Sequence, residues 1–220
     1  MSCLLCFSSE PLKEDELNGK YGSQLGKYNH IQNNNYDISM CQAPSSEPCC
    51  FLGSLLCFCP AQIYIRKKAL NHIEPGSGWS NYTCCQSQFG GCCCIQPGEM
   101  GEKSCPVVCM SLEACCFPGM AVSASSAVIR DQYNLGLDED DIRLIRCNNC
   151  LQCFALILNC LSLCIDCEGD ADETCVYFVN LAADVTFCCI AGCMTAQINH
   201  EIDLREDQQP SAPSASKMLR

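Results

Sequence analysis

The sequence predicts a mainly α-helical fold: a cysteine-rich helical domain with a C-terminal helical hairpin, long irregular loops and disordered termini. Three observations carry that expectation. Four apolar blocks have helical length and spacing, a Gly-, Pro- and Cys-rich stretch separates the first two, and both ends are polar with no periodicity. The ends are placed at 1–46 and 207–220, leaving 47–206 as one cysteine-rich helical domain.

Residues 1–46 are rich in Asn, Ser, Gly, Glu and Lys, a composition that offers little apolar surface to offset the entropy of ordering. The first block runs from Cys49 to Ile65, is interrupted by Pro60, and is closed by Arg66, Lys67 and Lys68. The stretch "EPGSGWSNYTCCQSQFGGCCCIQPGEMGEKS" that follows holds too many breakers for regular structure. The second block spans Pro106 to Ile129 and contains Glu113 and Pro118. "SLLCFCPA" at Ser54 and "SLEACCFPG" at Ser111 form a faint internal echo.

The third block, Ile142 to Ile165, sets Cys147, Cys150, Ile157, Cys160, Cys164 and Cys167 at spacings of three, four and seven, a sulfur-rich stripe along one helix face. Asp138 or Asp140 can cap its start. The fourth, Cys175 to Ala196, opens after "DADETC", so the two form a helical hairpin around the acidic turn Asp166 to Glu173. The tail "DQQPSAPSASKMLR" reads as disordered.

A membrane span needs about 20 mostly apolar residues. The fourth block is long enough but carries Asn180 and Asp184, and the third carries Gln152 and Asn159. Arg143 and Arg146 at one end, with carboxylates at the turn, agree with a positive-inside hairpin whose two ends are cytosolic. Two buried helices of a soluble or peripheral bundle are the alternative.

Charge narrows the partners. Thirteen basic against 25 acidic residues give a net charge of -12, which argues against a nucleic-acid partner, because phosphate binding wants a basic face. No catalytic constellation is visible, and no enzyme is expected.

The cysteines are the strongest signal: 26 in 220 residues, a density that usually marks a small secreted disulfide scaffold. The N-terminus "MSCLLCFSSEPLKEDELNGK" has no basic start and a short apolar run, so it does not read as an export signal, and reduced thiols are expected. The adjacent pairs, such as Cys49–Cys50 and Cys84–Cys85, cannot bridge to each other without strain, so a disulfide framework needs a long-range network. Beside that network stand two further roles, ligand or small buried hydrophobe. The C-x-x-C pairs Cys147–Cys150, Cys150–Cys153 and Cys164–Cys167 have the spacing of two thiolates on one tetrahedral ion, although a helix face gives the same spacing. With only His30, His72 and His200 available, a site would be thiolate-dominated and would suit Zn, Cd or Cu(I).

Other signals are weaker. The alternating carboxylates Asp166, Glu168, Asp170 and Asp172 suggest a calcium loop but lack its glycine and closing glutamate. Cys3 and Cys6, beside Leu4, Leu5 and Phe7, are candidate acylation sites. Asn81-Tyr-Thr83 is a glycosylation sequon, meaningful only in a lumenal loop.

The doublet Cys49–Cys50 followed by "CFCPA" at Cys57 to Ala61, then "AVIRDQYNLGLDEDD" and "CNNCLQC", resembles the placenta-specific-eight cysteine-rich family of onzin, plant cadmium-resistance proteins and cell-number regulators. Cys49, Cys50, Cys57, Cys59 and Pro60 look like its first motif, and Arg130, Tyr133, Cys147 and Cys150 like its second. "PGEMGEKSCP", "ACCFPGMAVSAS" and "IAGCMTAQINHE" look closest to protist members, and the resemblance covers roughly residues 48 to 202. Three departures stand out: Ala61 replaces the third position of the CPC motif, the spacer from Cys50 to Cys59 is longer, and Gln152 follows Cys150 by two residues instead of four.

The resemblance implies membrane association, often at the plasma membrane and as homo-oligomers, divalent-cation resistance for some members, and no enzyme activity. On that basis Cys49, Cys50, Cys57 and Cys59 are expected to form one metal site, for Zn or Cd, and Cys147, Cys150 and Cys153 another. Arg66, Lys67 and Lys68 are expected to meet anionic head groups at the cytosolic face. Two rivals stand beside this: a structural subunit of a membrane assembly that holds no metal, and a thiol oxidoreductase using Cys147 and Cys150, which lacks the strand-then-helix setting of such enzymes.

Overall fold

A computed structural model of the chain describes residues 6–8, 34–87, 101–133, 135–164 and 170–208. It is mainly α-helical, as the periodicity predicts. The described residues hold seven helices: α1 (Ala43–Ser46), α2 (Pro48–Leu56), α3 (Phe58–Ile73), α4 (Pro106–Cys116), α5 (Pro118–Tyr133), α6 (Glu139–Cys164) and α7 (Asp170–Gln208). A two-residue parallel ladder pairs β1 (Asn34–Asn35) with β2 (Leu135–Gly136).

The first two apolar blocks each become a helix, a one-residue break and a second helix. In a continuous helix the ring of Pro60 would collide with the carbonyl four residues earlier, that of Leu56, and Leu56 is where α2 ends. Cys57 takes an extended φ of -136°, its N–H still bonds to the Gly53 carbonyl at 2.9 Å, and α3 starts afresh with Pro60 in its first turn. At the second break Pro118 disfavours helical backbone at the residue before it, and Phe117 takes φ -134°. The two resulting helices, α4 and α5, meet at a bend of 120°. Both units also begin on a proline, Pro48 and Pro106, so the faint echo in sequence corresponds to a repeated local geometry.

The core forms where these units meet the C-terminal half of α7. Phe187, Ile190, Ala191 and Met194 pack with Val122 of α5, Ile145 of α6, Met40 and Phe7. Further along, Ile198 and Ile202 pack with Ile65, Ala69, Val128 and Ile129. Helix α2 lies so close to α7 that a Cβ on Gly192 would come within 3.0 Å of the Phe51 ring. Helix α5 is buried along almost its whole length, and its small residues let neighbours approach from every side.

Two polar segments are ordered where the sequence suggests disorder. Phe7 stacks on Phe187 at 5.0 Å, and its backbone exchanges hydrogen bonds with the Asn149 side chain (2.9 and 2.7 Å). Residues 34–46 dock through Tyr36, Met40 and Ala43, all buried, and through the Asp37 N–H to Glu201 (3.1 Å). A few apolar anchors separated by polar residues suffice here, because backbone N–H groups such as those of Asp37 and Met40 also bond to carboxylates of the helical core.

Candidate metal centre and membrane hairpin

The short turn Cys84–Ser87 sits under α4 and α5. In extended backbone, consecutive side chains point to opposite sides. Cys85 and Gln86 instead adopt left-handed backbone, with φ of 49° and 47°, and this reversal lets the Cys84 and Cys85 sulfurs share one buried space. The third member is Glu113 of α4: one donor atom from each residue lies within 4.8 Å of the others, the one such group among the described residues.

A charged network holds Glu113. Arg66, from α3, donates Nη2 to Glu113 Oε1 at 2.8 Å and to the Ala121 carbonyl at 2.8 Å, and Nε to Ser125 Oγ at 2.9 Å. Both side chains are fully buried. Glu113 Oε2 accepts from the Tyr82 hydroxyl and from the Cys85 N–H, each at 2.8 Å, and the Cys84 N–H donates to Glu102 at 2.5 Å. A carboxylate has about four lone-pair positions, so one on Oε1 stays available.

The two thiols differ. The hydrogen bond from Cys85 pulls Cys84 below the usual thiol range against the opposing effects of burial and of Glu113 and Glu102, while the same bond, with burial, pushes Cys85 far up. Burial and the Glu113 charge also push the Tyr82 phenol up, so it remains a donor to Glu113.

The residues singled out from sequence fall elsewhere. Cys49 and Cys57 are exposed, and Cys50 is half-buried with its thiol at the Thr195 carbonyl (3.8 Å). Burial, with the Glu47 charge, raises the Cys50 thiol to about 11. Cys59 turns away from Cys57 to meet Cys115 of α4, sulfur to sulfur at 3.2 Å. Cys147, Cys150 and Cys153 are all exposed on α6. Neither expected set is among the groups of three donors that the structure brings together. Of the sulfur-rich stripe, Cys147, Cys150, Ile157 and Cys160 face outward, because Asn148, Gln152 and Ala155 take the buried face of α6.

The three members of the basic cluster differ in exposure. Arg66 is enclosed by Glu113, Ser125 and Ala121 and has no access to head groups. Lys68 is half-buried between Asn199 (2.7 Å) and Asp203 (2.5 Å), which leaves Lys67 as the exposed member. Cys6 is half-buried near the Asn149 carbonyl, a poor position for an acyl chain. Cys3, the Cys92 triplet, Cys167, Asp166 and Glu168 lie outside the described residues.

Beyond the core, α6 and α7 continue as a pair, each long and apolar enough to cross a membrane. Three of their amide side chains lie between the two helices, while Asp184 of α7 is exposed. Asn159 and Asn180 exchange two amide hydrogen bonds of 2.9 Å, and Gln152 donates to the Ala183 carbonyl at 2.7 Å. The outward faces carry Phe154, Leu156, Ile157, Leu161, Tyr177, Phe178, Leu181 and Val185, all exposed. In lipid, such interhelical bonds satisfy groups that have no water to turn to.

No protein-family model, curated protein or solved structure matches this chain.

Proposed function

We propose that this is a membrane-associated, non-enzymatic protein of the placenta-specific-eight type that handles a thiophilic divalent metal such as Zn or Cd as an oligomer. Both ends of its hairpin face the cytosol, at the plasma membrane. The buried Cys84–Cys85–Glu113 group carries the metal part of this reading. Two thiolates and a carboxylate suit Zn, and ligands of a tetrahedral ion lie roughly 3.5–3.8 Å apart, inside the 4.8 Å envelope of the three donors. Charge also balances. Arg66 already neutralises Glu113, and a divalent ion that displaces two thiol protons adds no net charge to the buried space.

Membrane association is supported by the hairpin, whose apolar side chains point outward and whose amides pair inward. Exposed Arg143 and Arg146 stand at its core-side end, which favours a cytosolic location for that end.

The test is elemental analysis with thiol titration on full-length protein purified in detergent. One ion per chain is expected, with two thiols protected from alkylation, and both are lost in Cys84→Ser/Cys85→Ser. A second reading, a structural subunit without metal, is favoured by the outward thiols and bare apolar faces of α6. It is the result if the folded protein carries no metal and takes none up from added Zn.

A further inference from the structure

The 3.2 Å contact between Cys59 and Cys115 joins two helices across 56 residues of sequence. Cys59 lies in the first turn of α3 and Cys115 near the end of α4, the same two helices that carry Arg66 and Glu113. The sulfurs need approach by only about 1.1 Å to reach a disulfide bond length of about 2.05 Å. Cys115 is exposed and Cys59 half-buried, so an oxidant in solution reaches one thiol while the other waits beneath it. The pair belongs to no three-donor group among the described residues, so it lacks the ligand set a tetrahedral ion needs.

We infer that Cys59 and Cys115 form a peroxide-oxidised dithiol site, in which a hydroperoxide converts the contact into a reversible disulfide that staples α3 to α4. The Cys115 thiolate attacks one peroxide oxygen and breaks the O–O bond. With hydrogen peroxide this leaves Cys115 as a sulfenic acid and, after one proton is taken up, releases one water. The Cys59 sulfur then attacks the sulfenic sulfur, the S–O bond breaks, and a second water leaves carrying the Cys59 proton. Two thiols lose two electrons and two protons in all, and one peroxide is reduced to two waters. A low-molecular-weight thiol reverses the bond by exchange.

The greater exposure of Cys115 places the initial attack on it and leaves the half-buried Cys59 as the resolving thiol. The staple would hold α4, and with it Glu113, against α3.

The experiment uses full-length reduced protein in detergent with a metal chelator, one equivalent of hydrogen peroxide, alkylation of remaining thiols, and peptide mapping by mass spectrometry. A Cys59–Cys115 linked peptide is expected as the main intramolecular bridge. It should revert with dithiothreitol, vanish in Cys59→Ser and in Cys115→Ser, and persist in Cys84→Ser/Cys85→Ser, which separates it from the metal reading. The inference is overturned if both thiols emerge alkylated from oxidised protein, or if Cys115 is bridged mainly to another cysteine or to a second chain. Circular dichroism confirms that each variant keeps its helices. Should a variant fail to fold, the map of the wild-type protein decides the question alone.

Discussion

Arg66 and Asn180 are both polar side chains set in apolar helices, and the two regions around them satisfy that polarity in opposite surroundings. Arg66 lies where three helices close over it, and its guanidinium is met by a carboxylate, a hydroxyl and a backbone carbonyl. Asn180 lies where only two helices meet, its amide is met by Asn159, and the next layer outward is Tyr177, Phe178 and Leu181 with nothing covering them. The first region buries charge under protein; the second pairs amides beneath an apolar exterior. A surface of the second kind is stable only against an apolar medium or an apolar partner.

Replacing charge at the first region and apolarity at the second should therefore give different kinds of damage. The largest effect is expected for Glu113→Ala, which strands a buried guanidinium and should cost about 3–5 kcal/mol in thermal or denaturant unfolding. Arg66→Met/Glu113→Leu should recover part of that loss, since the Tyr82 hydroxyl and the Cys85 N–H stay without their acceptor. If the single variant melts like the wild type, the enclosed ion pair is not structural.

Next comes Ile157→Lys on the outward face of α6. A lysine at the centre of a bilayer costs about 2.5–3.5 kcal/mol, so this variant should fall out of the alkali-resistant membrane fraction. In water the same change would be close to neutral, about ±0.5 kcal/mol, and an unaltered fractionation would remove the bilayer from the comparison.

Asp131 tests the enclosed region by pH. Burial pushes its carboxyl up to about 6, and Oδ2 has no hydrogen-bond partner. The folded state therefore holds the proton more tightly than the unfolded one. Its stabilising contribution is full below about pH 4 and is lost as pH rises through about 6, a change of about 2–3 kcal/mol at most. Asp131→Asn should flatten that slope and raise stability at neutral pH, as read from unfolding curves at pH 4, 6 and 8.

The smallest effect is expected for Asn180→Leu, which removes one partner of the amide exchange. Interhelical bonds in membranes contribute about 0.6–1.7 kcal/mol, measurable as weaker association of α6 and α7 in detergent unfolding.

Much of this contrast is legible in the order of the residues. The prolines that end α2 and open α5 act locally, through a ring and a missing N–H, so Pro60 and Pro118 mark their breaks in the sequence itself. The hairpin is legible too, although Gln152, Asn159, Asn180 and Asp184 count against a span when each is taken alone; pairing across the helices answers the three amides and leaves Asp184 on the outer face of α7. The buried thiol group is not legible. Cys84–Cys85 is one doublet among several, and its partner Glu113 comes from a separate helix, α4, 28 residues on. The usable signal is a pair of isolated opposite charges, Arg66 closing one apolar block and Glu113 inside another. An ion in an apolar run needs a counterion, and no rule of spacing says which one. The outward sulfur stripe of α6 misleads for a related reason: cysteine is greasy enough to suit either face of a helix, so periodicity locates a face without saying which way it points.

The docking of Phe7 bears on how the molecule is assembled during synthesis. Its backbone bonds to Asn149, 142 residues later, and the Asp37 amide waits for Glu201, 164 residues later. Segments made early thus have no place to lie until the last long helix has left the ribosome. Closure is a late event, and the unfinished chain would expose its apolar stretches for most of its translation, a period in which an insertase or chaperone has every opportunity to take hold of it.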